Sequence, residues 1–471
     1  MRKYLAGPLL LFIIFLLPYA ALANSGPVFW QGYPYSDMML VEDGCPIAVL
    51  RETLLFDFSA EQDAPYTISG RVVASYEMFN PTHASQSVQM AFPFVESIHN
   101  LSLQDVVITA DGSRIPYDLY VGDVVHSYVH PFQGNEEKNI DFTRVISTIT
   151  DEIYSAESFA ENEKGKLYLI KVKPTGFQGV NFAVDFALQE EKTRVLTKSF
   201  NRYEREGEKT RLTAWCYGPE LLEIFVLGED IDLRTAAYRD GQLKEKTGLF
   251  IAEISSQEME LKPYLMDLVK SNIYRNYQGL LSEVQLYNLY GAALDRHFKE
   301  NAGFCAGENL FEQEHFQRLF TLVYWVDFSP QETREITVRY NTNGTMDLTR
   351  TGKPLYTFSY ILNPAKNWRE FGELQIIIIP PAKAPYLVES SIGLNRGENG
   401  IYQALLPGLP EGDLFFSLYE NEKISLLDQT KGSLRRHFGA LAPMVALLMV
   451  VIIPVLIIYK IRVNLSRSNR Y

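Results

Sequence analysis

The stretch from Arg71 to Phe94, RVVASYEMFNPTHASQSVQMAFPF, decides the fold class. In its first half Val72, Ala74, Tyr76 and Met78 alternate with Arg71, Ser75 and Glu77. In its second half Val88, Met90, Phe92 and Phe94 alternate with Gln89, Ala91 and Pro93. A period of two sends successive side chains to opposite faces, so each half reads as a strand with one apolar face and one wetter face. Half-wet strands joined by short loops build antiparallel sheets, not a doubly wound parallel one.

The same alternation recurs farther along the chain. Ile336, Val338 and Tyr340 oppose Glu335, Thr337 and Arg339, and Tyr168, Ile170 and Val172 stand among lysines. Asp111-Gly112, Asp240-Gly241 and Asn343-Gly344 join apolar stretches, and such dipeptides supply the positive φ that tight hairpins need. Helical spacing is confined to two places. One is Arg144 to Glu163, with Val145, Ile149, Ile153 and Tyr154 near one side. The other is 260–316, where Tyr287, Tyr290, Leu294 and Phe298 recur until Gly303 and Gly307 break the pattern. Those tyrosines read as packing against a sheet, with a groove-lining aromatic stripe as the alternative. A boundary is expected around Lys192 to Arg211, where NRYEREGEKTR is dense in charge. The expected fold is therefore mainly β: two antiparallel β-sandwich-type domains, residues 24–195 and 196–420, with a helical insertion over 260–316 in the second.

The two ends place the chain. Arg2 and Lys3 precede an uncharged apolar run from Leu5 to Leu17, then Pro18 and Ala21-Leu22-Ala23, the layout of a signal peptide over residues 1–23. An uncleaved N-terminal anchor is the alternative. From Phe438 to Tyr459 there is no charged residue, and a helix of that length reaches roughly 33 Å, enough for one span of the bilayer. Residues 421–437 read as a polar stalk before it, and 460–471 as a short cytoplasmic tail carrying Lys460, Arg462, Arg467 and Arg470. The expected location is the cell membrane, with the folded middle outside the cytoplasm.

Setting aside the basic residues of the two ends leaves 38 Lys and Arg against 57 Asp and Glu, a net charge of −19 for the ectodomain. That balance argues against nucleic acid, which needs clustered Lys and Arg. The three cysteines, Cys45, Cys216 and Cys305, are too few for a disulfide framework. One bridge with one free thiol, pairing between chains, and three buried thiols all remain open.

Two segments carry a family resemblance. Ser75 to Phe94 has a strand ending in Asn80, a loop, and a second strand closing on Phe-Pro-Phe. Tyr360 to Ile379, YILNPAKNWREFGELQIIII, sets Asn363, Ala365 and Trp368 before Phe371, Gly372 and an isoleucine run. With Tyr324 to Phe328 and the ITVRY strand, these resemble an uncharacterised family of bacterial ectodomains with a signal peptide and a C-terminal anchor. The resemblance follows the order of features over most of 35–420. It implies a bacterial, Gram-positive source and transfers no catalytic residue. Read from its own residues, Trp368 and Phe371 flank a turn at a sandwich corner, with a ligand-binding tryptophan as the functional alternative.

Chemistry-bearing motifs are sparse. His126 and His130 in HSYVH sit about 13 Å apart on a strand, too far to share a metal ion. His297, Cys305, Glu308, Glu312, Glu314 and His315 gather within twenty residues, and His297, Glu314 and His315 are the catalytic candidates. No phosphate loop, nucleophile elbow or calcium loop is present, and no cofactor or metal is expected. The leading expectation is a non-catalytic binding or accessory ectodomain, integral to the membrane through its single C-terminal span. The alternatives are a cell-envelope hydrolase using the histidines and glutamate of the insertion, and a subunit of a membrane complex recruited by a membrane-protein partner.

Overall fold

The computed structural model describes residues 27–41, 44–60, 66–101, 103, 106–125, 142–272 and 280–439, and beyond them positions 454, 458, 460 and 461. The expected signal peptide, nearly all of the expected span and of the tail, and the HSYVH histidines lie outside the described residues. Among the described residues no helix is long and apolar enough to cross a membrane.

The chain is mainly β, and its described residues form four sheets of ten, eight, five and five strands. The strands Ser69–Phe79 and Gln86–Ser97 bury the faces that their alternation marks, from Val72 to Met78 and from Val88 to Phe94. They do not pair with each other. Ser69–Phe79 lies in the eight-stranded sheet between Ala48–Asp57 and Thr333–Asn343, whereas Gln86–Ser97 lies in the ten-stranded sheet against Gln317–Phe328. The loop after Asn80 carries the chain from one sheet to the other. Asn80 locks it: its side-chain amide donates to the Ala84 and Ser329 carbonyls at 2.9 Å, and its oxygen accepts from the Thr82 N–H. The face expected to be wet on Gln86–Ser97 is also covered, since Ala91 and Val95 pack with Met39, Val145, Leu319 and Val323 in a small outer core.

The two large sheets face each other across one core. Ring contacts bridge them at Phe58–Phe358 (4.4 Å), Phe56–Phe416 (5.1 Å) and Phe92–Tyr340 (5.1 Å). Each such ring is worth about 2–3 kcal/mol through burial alone. Near the middle of the eight-stranded sheet, Phe371–Ile379 runs parallel to Ala48–Asp57 over eight matched residues, an exception to the antiparallel rule. Gly372 is required there. The register shifts between Val49 and Arg51, and a Cβ at 372 would overlap the carbonyl of Leu50.

Asp111-Gly112 forms the expected hairpin, with φ of 48° and 78°, between Val107–Ala110 and Ser113–Arg114. Asn343-Gly344 does not. It carries the chain from Thr333–Asn343 in the eight-stranded sheet to Thr345–Asp347 in the ten-stranded one.

Between Asp118–Val124 and Gln317–Phe328 the chain leaves the large sheets and builds the smaller pair. Lys164–Pro174, Thr193–Lys198, Glu220–Gly228, Phe250–Glu260 and Phe304–Ala306 form one five-stranded sheet; Val180–Ala187, Arg202–Glu206, Lys209–Cys216, Arg234–Tyr238 and Lys246–Thr247 form the other. Their shared core includes Ile170, Phe182, Leu212 and Ile224. Position 195/196 thus falls inside a strand, and NRYEREGEKTR is a hairpin about Gly207 (φ 63°), not a linker. Its charges are dense because most of that hairpin is exposed.

The helices α2 (Leu261–Asn272) and α3 (Glu283–Glu300) follow, with α1 (Phe142–Ser147) before the small sheets and α4 (Gly307–Phe311) after α3. Ser282 caps α3 by accepting from the Gln285 N–H. Leu265, Tyr290 and Phe298 join Leu167, Leu196 and Phe225 in the large core, so α2 and α3 cover the outer face of one five-stranded sheet.

Two expectations are corrected. The helix over 144–163 stops at Ser147, because side chains of α3 satisfy the backbone that helix would have satisfied itself. Gln285 donates to the Thr150 carbonyl, Asn288 accepts from the Tyr154 N–H, and Asp295 accepts from the N–H groups of Glu157 and Ser158. Nor do residues 421–437 stand free as a stalk. They form α5 (Leu426–Phe438), opened by a Ser425–Asp428 capping box and docked through Gly432 onto the Arg350–Thr351 backbone, with Arg435 donating to the Gly352 carbonyl at 2.9 Å.

Candidate functional site

Where the smaller sheets meet, a cleft of about 1070 Å³ opens. Its lining draws Asp185 from one strand, Glu204, Arg205 and Arg211 from the charged hairpin, and Asp230, Asp232 and Arg234 from the turn after Glu220–Gly228. Side chains at a sheet end point past the core into solvent, which is why the hairpin sequence is polar there. Arg211 grips Asp185 in a two-point pair, Nε to Oδ1 at 2.6 Å and Nη2 to Oδ2 at 3.1 Å. Asp230 accepts from Lys166 Nζ and the Tyr168 hydroxyl, both at 2.6 Å, and from the Ile231 N–H. Looser pairs stand at 3.5 Å (Lys192–Glu229) and 3.6 Å (Arg234–Asp232), the latter well exposed.

Asp230 and Arg211 are held charged. Burial pushes Asp230 up, but the hydrogen bonds from Lys166, Tyr168 and Ile231 outweigh it and keep the carboxyl below its usual range. The bond to Asp185 raises the Arg211 guanidinium further. Such groups attract and orient a ligand; a general acid or base needs a pKa near the working pH. Thr210 adds a buried polar atom to the wall. It is 2% exposed, and its hydroxyl has no partner among the described residues.

A second cluster lies at the centre of the large core, away from solvent. Asp37 follows the short strand Tyr35–Ser36 and is completely buried; its Oδ1 accepts from the Met38 N–H at 2.7 Å and, at close range, from the Tyr76 hydroxyl. Tyr360 lies 3.4 Å from that hydroxyl. Glu52, equally buried, faces Asp37 from Ala48–Asp57, and Tyr340 closes the group. Asp37 Oδ2, both Glu52 oxygens and the Tyr340 hydroxyl lack a well-formed hydrogen bond among the described residues. Burial pushes the Asp37 carboxyl up to about 7, and burial plus the neighbouring Asp37 pushes Glu52 well above its ordinary range. Burial thus favours the neutral form of both carboxyls. Neither residue stands out in the sequence, because each is one acidic position inside an otherwise ordinary apolar segment.

Trp368 sits against this cluster. It is 5% exposed and its indole N–H donates to the Met38 carbonyl at 3.3 Å, so the ring supports the Asp37 loop from within the core. The other sequence candidates are dispersed. His297, in the last turn of α3, meets Asn301 at 3.3 Å; burial, then Arg296, lowers its pKa. Glu314 is buried and accepts from the Tyr290 hydroxyl at 3.3 Å. The His315 ring packs 5.0 Å from His99. Cys305 is buried, its thiol pushed far up by burial and then Glu308. No disulfide joins Cys45, Cys216 or Cys305 to another of the three. No cluster of metal-ligating side chains occurs among the described residues.

No family model matches the chain, and no curated protein matches it. Among solved structures, it is similar to one described as "a putative nutrient binding protein" from Legionella pneumophila subsp. pneumophila str. Philadelphia 1, at 10% identity and a TM-score of 0.34, covering 83% of this chain and 73% of that one. A likeness that slight carries no argument about activity. The resemblance of the two quoted segments to bacterial ectodomains gains nothing from these comparisons.

Proposed function

We propose that the chain is an exported ectodomain of two β-sandwich units, held by a C-terminal membrane helix, that binds a polar, charge-bearing ligand without turning it over. The cleft in the smaller sandwich carries this reading: its Asp230 carboxylate and Arg211 guanidinium are tuned to remain charged, and a buried Thr210 hydroxyl in its wall has no partner among the described residues. Export and anchoring rest on residues 1–23 and 438–459 of the sequence. Carboxylates outnumber basic groups around the cleft, so a ligand with cationic and hydroxyl groups, such as an amino sugar or a basic peptide, suits it better than an anion. The ectodomain charge disfavours nucleic acid.

The test is calorimetric titration of the full chain in detergent with amino sugars, cell-wall fragments and short basic peptides. Binding that weakens at least tenfold in Asp232→Ala and with added salt supports the reading. Affinity indifferent to Asp232, Asp230 and Arg211, or release of a chemically altered ligand, overturns it.

A further inference from the structure

One strand edge differs from the rest. Phe250–Glu260 ends a five-stranded sheet and, among the described residues, pairs on one side only, with Lys164–Pro174, through eleven consecutive matched residues and no bulge. The strands at the other ends of the four sheet paths have two to seven residues. Folded proteins shield such edges by shortness, proline, bulges or lysine, because an open row of N–H and C=O groups recruits another strand. FIAEISSQEME has no proline and no lysine. Its charges are Glu253, Glu258 and Glu260, in register with Lys171, Lys166 and Lys164 on the inner neighbour.

The edge is apolar at one end on both faces. Ile251 is 54% exposed on the outer face. Ile254 shares the inner face with Phe250 and Ala252, which pack against the core, yet it is 46% exposed. Leu249 is similarly exposed, and Phe177 in the adjacent turn is fully exposed.

We infer that this edge pairs with the same edge of a second copy of the chain, joining two five-stranded sheets into one. A two-fold axis perpendicular to the sheet makes one residue of an antiparallel pair face itself. With Ser255 on that axis, Glu253 faces Gln257, Glu258 faces Ala252, and Glu260 faces Phe250. No two carboxylates oppose each other, and Ile254 of each copy lies beside Ser256 of the other. An acidic edge of this spacing thus meets itself without setting carboxylate against carboxylate.

The test uses the full chain in detergent micelles, in a Cys45→Ser background that removes the one cysteine that is not buried. Facing Cα atoms in an antiparallel pair are about 4.5–5.5 Å apart, within disulfide reach. Ser255→Cys is expected to yield a covalent dimer under mild oxidation, while Ser87→Cys, exposed on another strand, does not. Light scattering of the unmodified chain is expected to give a doubled protein mass, with dimerisation weakened at least tenfold by Ile254→Lys, a substitution at a solvent-facing site. A monomeric mass at every concentration, equal crosslinking of the two cysteine variants, or protection of this edge only when a different protein is added would each overturn the inference.

Discussion

Replacing Asp37 with asparagine tests the reading of the buried acidic pair. The variant retains an Oδ1 acceptor for the Tyr76 hydroxyl and the Met38 N–H, and it puts an N–H donor where Oδ2 now faces Glu52. In the native chain the Asp37 carboxyl rises from its ordinary 3.8 to about 7. Below about pH 4 it is neutral in folded and unfolded states alike, so it adds no charge cost. Between pH 4 and 7 only the unfolded chain ionises, and each pH unit lowers stability by about 1.4 kcal/mol. Over that window the loss amounts to about 4 kcal/mol, or on the order of 8 °C in Tm. Glu52, raised for the same reason, extends the decline to higher pH. Carboxyls held low, such as Asp230 and Asp295, are ionised in both states across most of this window and add little slope. Thermal melts of the full chain from pH 4.5 to 8 should therefore fall steadily, and those of Asp37→Asn should be flatter and higher at pH 8. Parallel curves for the two proteins would refute the argument.

Other outcomes follow from single contacts. Gly372→Ala should cost about 3 kcal/mol or more in denaturant titrations, since its Cβ meets backbone, whereas Gly241→Ala, with open space around it, should stay within about 0.5 kcal/mol. Asp295→Asn should loosen residues 148–163, read as faster amide exchange there, because the native carboxylate accepts from Tyr154, Glu157 and Ser158. The same carboxyl, held far below its usual range by those bonds against the cost of burial, contributes stability that is present near neutral pH and lost only in strong acid. Alkylation of the folded chain at pH 8 should modify Cys45 alone, with Cys216 (pushed up to about 11 by burial and Glu220) and Cys305 reacting only after unfolding.

Alternation alone determined the strands and their buried faces: Val72 to Met78, Val88 to Phe94 and Ile336 to Tyr340 are inside because a two-residue period is a local property of the chain. Helical spacing likewise located α3, and the turn at Asp111-Gly112 followed from its need for positive φ. Which strands pair was decided only in three dimensions. Nothing near residue 50 announces that Phe371–Ile379 will lie parallel beside it, and nothing in NRYEREGEKTR separates a charged hairpin from a linker. Residues 148–163 had helical spacing, yet side chains more than a hundred positions away offered their backbone better partners. The Asp37–Glu52 pair and the cleft are products of the same long-range pairing. Charge and burial at those places depend on what faces a residue from another strand, and sequence order does not encode that neighbour.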